Sequence, residues 1–402
     1  QQQMELLPEW LDLVAAAGWR LPDDLLPLLL DQGARLTRLR PQLLPVLGER
    51  GRWLAAINPA WRYAAVDLDD WRALRAAWEA NPAGRAALAR SVRASDPEAA
   101  RHLIEATWRD EADAARREMI DALVGGLSMA DEPFLERALD DRDAQVRRKA
   151  VDLLARLPDS RLVGRLVAAA GDILAFEAGD LRPHFPPVIS DALVRDGVAR
   201  SGASSQSANE RSRQLQQTVG VIPPRHWEER LARLPEAIIR AARAGKWPRT
   251  LISALATAAA RHNDRRWAMA ILNEDGVSER AGAVVPLLGP DEIEARLRRA
   301  LAEGDDEAVV VLLRRWPTDW DDGAARLMID YLGAQALRDP DTRHSPTLRY
   351  LMRQFVRQCP PALADYAAAA FTGRATNKAW EVSLTSFVSA LARRRGLHEA
   401  MK

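Results

Sequence analysis

Residues 131–170 read DEPFLERALDDRDAQVRRKAVDLLARLPDSRLVGRLVAAA, and their apolar residues recur at helical spacing. Asp131 is placed to cap a first short helix, and Pro in the first turn costs no hydrogen bond. The residues 140–143, DDRD, form a turn in which Asp143 is suited to cap a second helix. An apolar stripe from Val146 to Leu157 follows at the spacing of one helix face. The segment therefore predicts a helical hairpin, followed by the first helix of another.

This hairpin resembles a HEAT repeat. The family carries an Asp in the turn and a Val-Arg pair shortly after it, and Asp141, Val146 and Arg147 match that pattern here. Ala150 follows where a small residue lets neighbouring helices approach. The resemblance implies that Asp141 and Arg147 bridge adjacent repeats, which is a structural role. A ligand-contacting Arg147 is the alternative.

A single hairpin of this kind cannot bury its own apolar face, so further hairpins must stack against it. The sequence places one before it, with helices at 97–107 and 110–124. Its cap, Asp96, precedes Asp131 by 35 residues, close to the period of about 40 of HEAT repeats. We therefore predict an all-α fold, an α-solenoid of HEAT-like helical hairpins that becomes irregular in the C-terminal half, with no strand.

Changes of composition along the chain predict four regions. They are an N-terminal helical region with the motif GERGRW (1–94), HEAT-like repeats (95–179), an irregular Pro- and Ser-rich segment (180–225) and C-terminal helical repeats (226–402). Within the third region, residues 201–209 are poor in apolar side chains and predict a mobile loop, and the polar stretch continues to about Gln217. In the fourth, the pattern predicts single helices over 226–243 and 278–287.

The charge of the chain argues against nucleic acid as its main partner. The 402 residues include 57 basic and 56 acidic side chains, for a net charge of +1. A protein that binds nucleic acid usually shows a clear basic excess. A local basic stripe remains compatible with this balance, but a phosphate-binding role for the whole chain is disfavoured.

Composition also indicates a cytoplasmic protein that does not cross a membrane. Cys359 is the only cysteine, so no disulfide can form within the chain, and we expect a buried structural thiol before Pro360. No apolar run reaches the ~18 residues of a membrane helix. The first residues, QQQ, suggest an expression remnant or a cut inside a longer protein, so further sequence is expected before them.

The sequence contains none of the motifs that we looked for as signs of catalysis. There is no GxxxxGK[ST], no GxGxxG after a strand, no HExxH and no GxSxG. The six histidines show no spacing of metal ligands, and the lone cysteine excludes a cysteine-based zinc site. We therefore expect no catalytic residues, no metal and no cofactor.

The most distinctive segment is 48–63, GERGRWLAAINPAWRY. It interleaves Arg with Trp and Tyr, the residue types that are enriched in interface hot spots. One interpretation is a helix corner in which the rings are buried and guanidinium groups stack on them. The other is a surface that binds a protein partner. The residues that would form this surface are Arg50, Arg52, Trp53, Trp61 and Arg62.

The run from Leu6 to Ala65 resembles an uncharacterised bacterial family filed only as a domain of unknown function. The resemblance is strongest at GERGRWL, from Gly48, and at the Asn58-Pro-Ala-Trp61 segment. Members of that family tend to be encoded beside MoxR-type AAA+ ATPases, von Willebrand A-domain proteins and SWIM zinc-finger proteins. The resemblance thus implies an adaptor or scaffold for an ATPase-driven remodelling system, with no established activity.

Two functions follow as hypotheses. The first is a non-enzymatic helical-repeat scaffold that binds a protein partner, such as an AAA+ ATPase or a von Willebrand A-domain protein. The second is a HEAT-like protein that binds nucleic acid, or an enzyme that acts on bases. The second predicts affinity that falls steeply with salt concentration. The sequence identifies neither the partner nor the oligomeric state.

Overall fold

The chain is all-α apart from one short β-hairpin within the described residues. The structure, a computed structural model, describes residues 2–65, 71–157, 159–177, 180–185, 189–199, 207–316, 320–338, 352 and 355–401. The side chains of residues 2–5 and of Arg62 lie outside this description. Two compact units are present. One comprises the chain up to Leu162 together with Arg195–Gly197, and the other comprises Val163–Val194 and Val198–Ala400.

The first unit contains ten α-helices in its described part, joined by short 3₁₀ segments. They are α1 (Gln2–Ala16), α2 (Leu26–Arg35), α3 (Arg40–Leu43), α4 (Gly48–Ile57), α5 (Trp71–Ala80), α6 (Arg85–Ser95), α7 (Pro97–Thr107), α8 (Asp113–Ala122), α9 (Glu132–Ala138) and α10 (Ala144–Leu154). From α6 onward, alternate helices pack together, α6 on α8 and α8 on α10, while α9 packs on α10. The predicted helices at 97–107 and after Asp143 are confirmed, with Asp96 and Asp143 as their caps.

Buried Arg–Asp pairs hold both ends of α9. Before the helix, Asp131 is fully buried and accepts hydrogen bonds from the guanidinium of Arg93, which lies on α6. After the helix, Asp141 accepts from Arg116 of α8, at 3.3 Å from Nη2 to Oδ1. Asp131 was expected to be an N-cap, but the cap of this turn is Ser128, which forms a capping box with Asp131. The carboxylate of Asp131 instead forms a buried ion pair with Arg93 inside the first unit.

The second unit contains the remaining described helices. They are α11 (Arg161–Ala170), α12 (Asp191–Arg195), α13 (Ala208–Val219), α14 (Pro224–Leu231), α15 (Pro235–Ala244), α16 (Pro248–Arg261), α17 (Arg265–Glu274), α18 (Pro290–Glu303), α19 (Asp306–Arg315), α20 (Asp322–Arg338), α21 (Ala364–Phe371) and α22 (Lys378–Ala400). Helix α16 lies at the centre of their packing and contacts α13, α14, α15 and α17. Seven of its side chains, four of them Ala, are fully buried. Small side chains let several helices approach one helix closely, which an apolar stripe on one face alone would not permit.

The prediction that the chain has no strand was wrong. Residues Leu174–Glu177 (β1) pair antiparallel with Asp180–Pro183 (β2), with Leu174 opposite Pro183. Leu174 and Leu181 are buried, and the hairpin packs on α14 and α15. Each strand has only four residues, too few for a period of two to stand out from a helical pattern. Tertiary packing stabilises the hairpin, since an isolated one is marginal in water.

The loop predicted at 201–209 was wrong from residue 207 onward, and residues 201–206 lie outside the described part of the chain. Helix α13 begins there, with Ser207 and Glu210 in a reciprocal capping box. Only a narrow strip of α13 is buried, including Gln214, Leu215, Thr218 and Val219. Because half of that strip is polar, the sequence lacks the apolar stripe by which helices are recognised.

Two helices of the C-terminal region also differ from the prediction. The single helix expected at 226–243 is two helices, because Ala232 adopts a left-handed backbone (φ 50°) and ends α14. Pro235 then occupies the first turn of α15, where proline is tolerated. The helix expected at 278–287 is a 3₁₀ segment, Gly282–Leu287, which contains Pro286. The left-handed Ala232 carries no sequence signal, but Pro235 does, because a proline inside a helical pattern usually ends or kinks the helix before it.

We predict that Arg93→Met lowers the free energy of unfolding of the first unit by about 3–5 kcal/mol, because Asp131 then loses its main partner while buried. The measurement is chemical denaturation followed by circular dichroism. Arg90→Met, on the exposed face of the same helix, is the matched control and should change stability by less than about 0.5 kcal/mol. Equal effects of the two substitutions would show that the buried pair is not important for stability.

The buried thiol predicted for Cys359 is confirmed, since Cys359 is 1% exposed. Burial raises the pKa of this thiol to about 12, so almost none of it is thiolate at pH 8. Because the thiolate is the reactive form, we expect Ellman's reagent to label the folded protein slowly and the protein in denaturant at once. With one cysteine in the chain, the signal is unambiguous. Rapid labelling of the folded protein would contradict this burial.

Candidate functional site

The segment GERGRW forms the start of α4, and its two glycines have different structural roles. Gly48 has a left-handed backbone (φ 64°) and begins the helix. Gly51 lies inside α4 and is buried. A Cβ on Gly51 would come within 3.2 Å of Leu26 Cδ2, so its absence lets α4 pack on α2. That packing leaves the other face of α4 uncovered within the first unit.

The uncovered face of α4 carries two large apolar side chains one turn apart. Trp53 is 61% exposed and Ile57 is 60% exposed, and residues at i and i+4 of a helix are neighbours on its surface. We call this pair, Trp53 and Ile57, the α4 ridge. Trp53 was predicted to belong to a partner-binding surface. Ile57 was missed, although its position four residues after Trp53 is the signal that could have identified it.

Two arginines accompany the α4 ridge on the same helix. Arg50 forms an exposed ion pair with Asp23, with 2.7 Å between Nη1 and Oδ2. The side chain of Arg52 is exposed. No hydrogen bond or ion pair of Arg52 is found among the described residues. The surface therefore combines apolar area with one arginine that has no carboxylate partner among the described residues, and with one ion pair at its edge.

The remaining residues of the predicted surface have other positions. Trp61 lies in the 3₁₀ segment Pro59–Ala64, is half-buried, and donates from Nε1 to Asp31 Oδ1 at 2.7 Å. Its neighbour Tyr63 donates to the carbonyl of Leu30 at 2.9 Å and lies beneath the guanidinium of Arg40. Trp61 thus has a contact that ties its segment to α2. The side chain of Arg62 lies outside the described residues.

The four residues of the HEAT-like pattern lie in the α9–α10 hairpin. Val146 and Ala150 are fully buried on α10. Arg147 donates from Nη1 to the carbonyl of Asp141 at 2.7 Å and to that of Arg142 at 3.0 Å. Asp141 is paired with Arg116 of the preceding hairpin and also accepts from the backbone N–H of Asp143 at 2.8 Å. Asp141 and Arg147 thus form these hydrogen bonds and this ion pair with residues of the first unit.

Asp143 receives two kinds of hydrogen bond at the start of α10. Arg117 of α8 donates to its Oδ2, and the backbone N–H groups of Gln145 and Val146 donate to its Oδ1. Together they hold the pKa of the Asp143 carboxyl well below its usual range, with the hydrogen bond from Arg117 as the largest cause. The carboxylate therefore serves both as a helix cap and as a link between α8 and α10.

A groove of about 390 Å³ in the first unit is lined by arginines and by the edge-to-face pair Trp108 and Phe134. Most of its arginines are already paired, Arg137 with Glu105 at 3.0 Å and Arg142 with Asp113 at 2.8 Å. Arg109 has no carboxylate partner among the described residues. One unpaired guanidinium offers little attraction for a nucleic-acid backbone, which needs several cations in a row.

Neither a cluster of metal ligands nor a membrane-spanning helix is present among the described residues. No group of three or more His, Cys, Asp or Glu side chains in that part of the chain is arranged to hold a metal ion. None of the described helices combines the length and apolar character that crossing a membrane requires. The α4 ridge is therefore the candidate functional site of the first unit.

The fold and this surface define a helical protein with an exposed apolar ridge, and the chain as a whole matches a known family. Residues 1–401 match the model of a family of unknown function, DUF5691, and the chain belongs to that family. The prediction of a domain of unknown function is thus confirmed. No curated protein and no solved structure is significantly similar to the chain.

The low pKa of Asp143 predicts a dependence of stability on pH. A carboxyl whose pKa is lower in the folded state stabilises the fold above its unfolded pKa, about 3.9, and this contribution is lost as pH falls below that value. Asp143→Asn keeps a capping side chain but removes the charge. We expect the variant to be less stable than wild type above pH 4 and the difference to shrink on acidification.

The measurement for Asp143→Asn is urea denaturation across this pH range. Asp110→Asn removes an exposed carboxylate of the same unit and controls for the loss of one negative charge. A constant difference between Asp143→Asn and wild type at all pH values would show that the charge of Asp143 does not act through Arg117.

Proposed function

We propose that the chain is a non-enzymatic helical scaffold that binds a protein partner through the α4 ridge. The observation that carries this proposal is the exposure of Trp53 and Ile57, 61% and 60%, one turn apart on α4. Exposed apolar side chains scattered singly are ordinary, but adjacent large ones form a patch that gains free energy when covered. Tryptophan is also the residue most often found in the energetic centre of interfaces.

The charges beside the α4 ridge specify the chemistry of its partner. The partner would present an apolar groove for Trp53 and Ile57 and a carboxylate opposite Arg52. Such a carboxylate would make a charge-assisted hydrogen bond with a guanidinium that has no partner in the described part of this chain. Arg50, already paired with Asp23, would lie at the rim, where an ion pair contributes little to affinity.

The packing of alternate helices supports a finer assignment of architecture. The contacts of α6 with α8 and of α8 with α10 repeat as expected for stacked hairpins. We propose that this part of the first unit is a short HEAT-like solenoid, in which Asp141 and Arg147 are structural. The C-terminal half would be an irregular continuation, because α16 is surrounded by helices rather than placed in a single layer.

The family resemblance seen in the sequence suggests the class of protein to which the partner belongs. If the gene lies beside those of MoxR-type AAA+ ATPases and von Willebrand A-domain proteins, one of these would be the protein with the apolar groove. A cytoplasmic location belongs to the same proposal. Nucleic-acid binding is the weaker alternative, because the net charge is +1 and most arginines of the Trp108 groove are paired.

The test is affinity purification of the protein from its native organism, with mass spectrometry of what is bound. We expect an AAA+ ATPase or a von Willebrand A-domain protein in stoichiometric amount with wild type, and binding at least about tenfold weaker with Trp53→Ala/Ile57→Ala. Both side chains are exposed, so the melting temperature should stay within about 2 °C of wild type.

The matched control is Trp71→Ala, which removes another exposed tryptophan of the first unit, on α5. It should leave binding unchanged. Arg52→Glu should weaken binding by opposing the partner's carboxylate. Loss of binding with Trp71→Ala as well, or a fall in melting temperature that parallels the loss, would contradict the proposed site. Recovery of nucleic acid that dissociates steeply with salt would favour the alternative function.

A further inference from the structure

The second unit contains a cavity of about 410 Å³, within the size range of sites for small molecules. Residues from five segments of the chain line this cavity. They are the last turn of α11 with the residues that follow it, the residues after β2, helix α12, helix α13 and the first turns of α14. The residues that line this cavity are distant in sequence from the α4 ridge. Binding of a ligand in the cavity would therefore not depend on the partner proposed for the α4 ridge.

The cavity has an apolar side. Ile189, Leu193 and Val198 line it and are at least nine-tenths buried, and Phe185 lines it from the end of the β-hairpin. Aliphatic and aromatic side chains at such a wall favour the apolar body of a ligand, because covering them removes apolar area from water.

The opposite side of the cavity is polar. The Nε2 atom of His226, on the first turn of α14, is buried and has no hydrogen-bond partner among the described residues. Burying a nitrogen without a hydrogen-bond partner is unfavourable, and few buried polar atoms in native proteins lack a partner. Gln214 and Thr218, one turn apart on α13, also line the cavity and are almost fully buried. The Thr218 hydroxyl donates to the carbonyl of Gln214 at 2.8 Å, so its proton is already used.

The electrostatics of the wall favour a ligand that donates hydrogen bonds. The last turn of α11, up to Ala170, faces the cavity, and a helix ends with carbonyl groups and the negative end of its dipole. The carboxylate of Asp172 lies at the same wall. Arg230 is the one arginine among the described residues of this wall, and its Nε donates to Asp172 Oδ1 at 2.9 Å, so its charge is already compensated.

Gly171 keeps the space in front of His226 open. A Cβ at this position would lie 3.3 Å from His226 Nε2 and 2.6 Å from the carbonyl oxygen of Val167. Any other residue would therefore crowd the unpartnered nitrogen and require the end of α11 to shift. A glycine in this place preserves access to the imidazole.

We propose that this cavity binds a small, mainly apolar molecule whose head group donates a hydrogen bond, such as an amide or an amine. The head donates to Nε2 of His226, in the tautomer that carries its proton on Nδ1. The body of the ligand packs against Ile189, Leu193 and Val198. A carboxylate head is disfavoured, because it would face the carbonyl end of α11.

The test uses three probes of one shape, benzamide, benzylamine and benzoate, with isothermal titration calorimetry and saturation-transfer NMR on the full chain. We expect benzamide and benzylamine to bind at millimolar concentrations and benzoate to bind about tenfold more weakly. His226→Phe keeps the size of the ring and removes the acceptor. It should weaken benzamide binding by about threefold to tenfold, the usual contribution of one hydrogen bond.

A second pair of variants separates binding from folding. Ala169 is an exposed residue of the last turn of α11 that lines the cavity, so Ala169→Trp places a large ring in it without disturbing the core. This variant should abolish binding of benzamide. Ala302→Trp, at an exposed position in the last turn of α18, is the matched control and should bind like wild type.

Three results would overturn the proposal. Failure of all three probes to bind at millimolar concentrations would exclude the ligand class. Equal binding of benzoate and benzamide would contradict the donating head group. Binding that persists in Ala169→Trp would place the site elsewhere in the protein. A normal melting temperature of His226→Phe, measured alongside, ensures that weaker binding reports on the site and not on unfolding.

Discussion

The guanidinium of Arg93 is the point at which the hairpins of the first unit are joined. It is 2% exposed, pairs with Asp131 and donates to the backbone carbonyls of Pro97, Gly125 and Gly126. A buried charge is costly unless its hydrogen-bonding capacity is filled, and here the turn between α8 and α9 fills it. The turn must therefore adopt one conformation, which sets where α9 begins.

The same arrangement recurs at the other end of α9. Arg116 of α8 is buried, donates to the carbonyl of Glu111 at 2.7 Å, and is paired with Asp141. Arg117, its neighbour, reaches Asp143 at the start of α10. Since long side chains from α6 and α8 reach both turns, α9 is fixed by polar contacts at its ends as well as by its short apolar face. Seven residues alone would form only a marginal helix.

The two candidate sites differ in which groups they expose and which they bury. The α4 ridge exposes Trp53 and Ile57 because Gly51 draws the other face of α4 onto α2. The cavity of the second unit instead encloses a polar atom, His226 Nε2, within a partly apolar wall. An exposed apolar ridge is suited to a macromolecule, which can cover it, and an enclosed acceptor is suited to a small molecule, which can enter. A scaffold with both would bind its partner and its ligand in separate places.

The sequence by itself determined the all-α class, the hairpin helices around Asp143 and the burial of Cys359, whereas for Trp53 it left a buried and an exposed ring as alternatives. These depend on interactions within one or two helical turns, namely caps, apolar periodicity and local charge. Only the tertiary structure decided that Asp131 is an ion-pair partner rather than a cap, that residues 174–183 form a hairpin, and that His226 lines a cavity. Each of these depends on contacts between residues far apart in the chain. Burial determines how much an unpaired charge costs and which strands pair, and a local sequence pattern does not show which distant residues will bury one another.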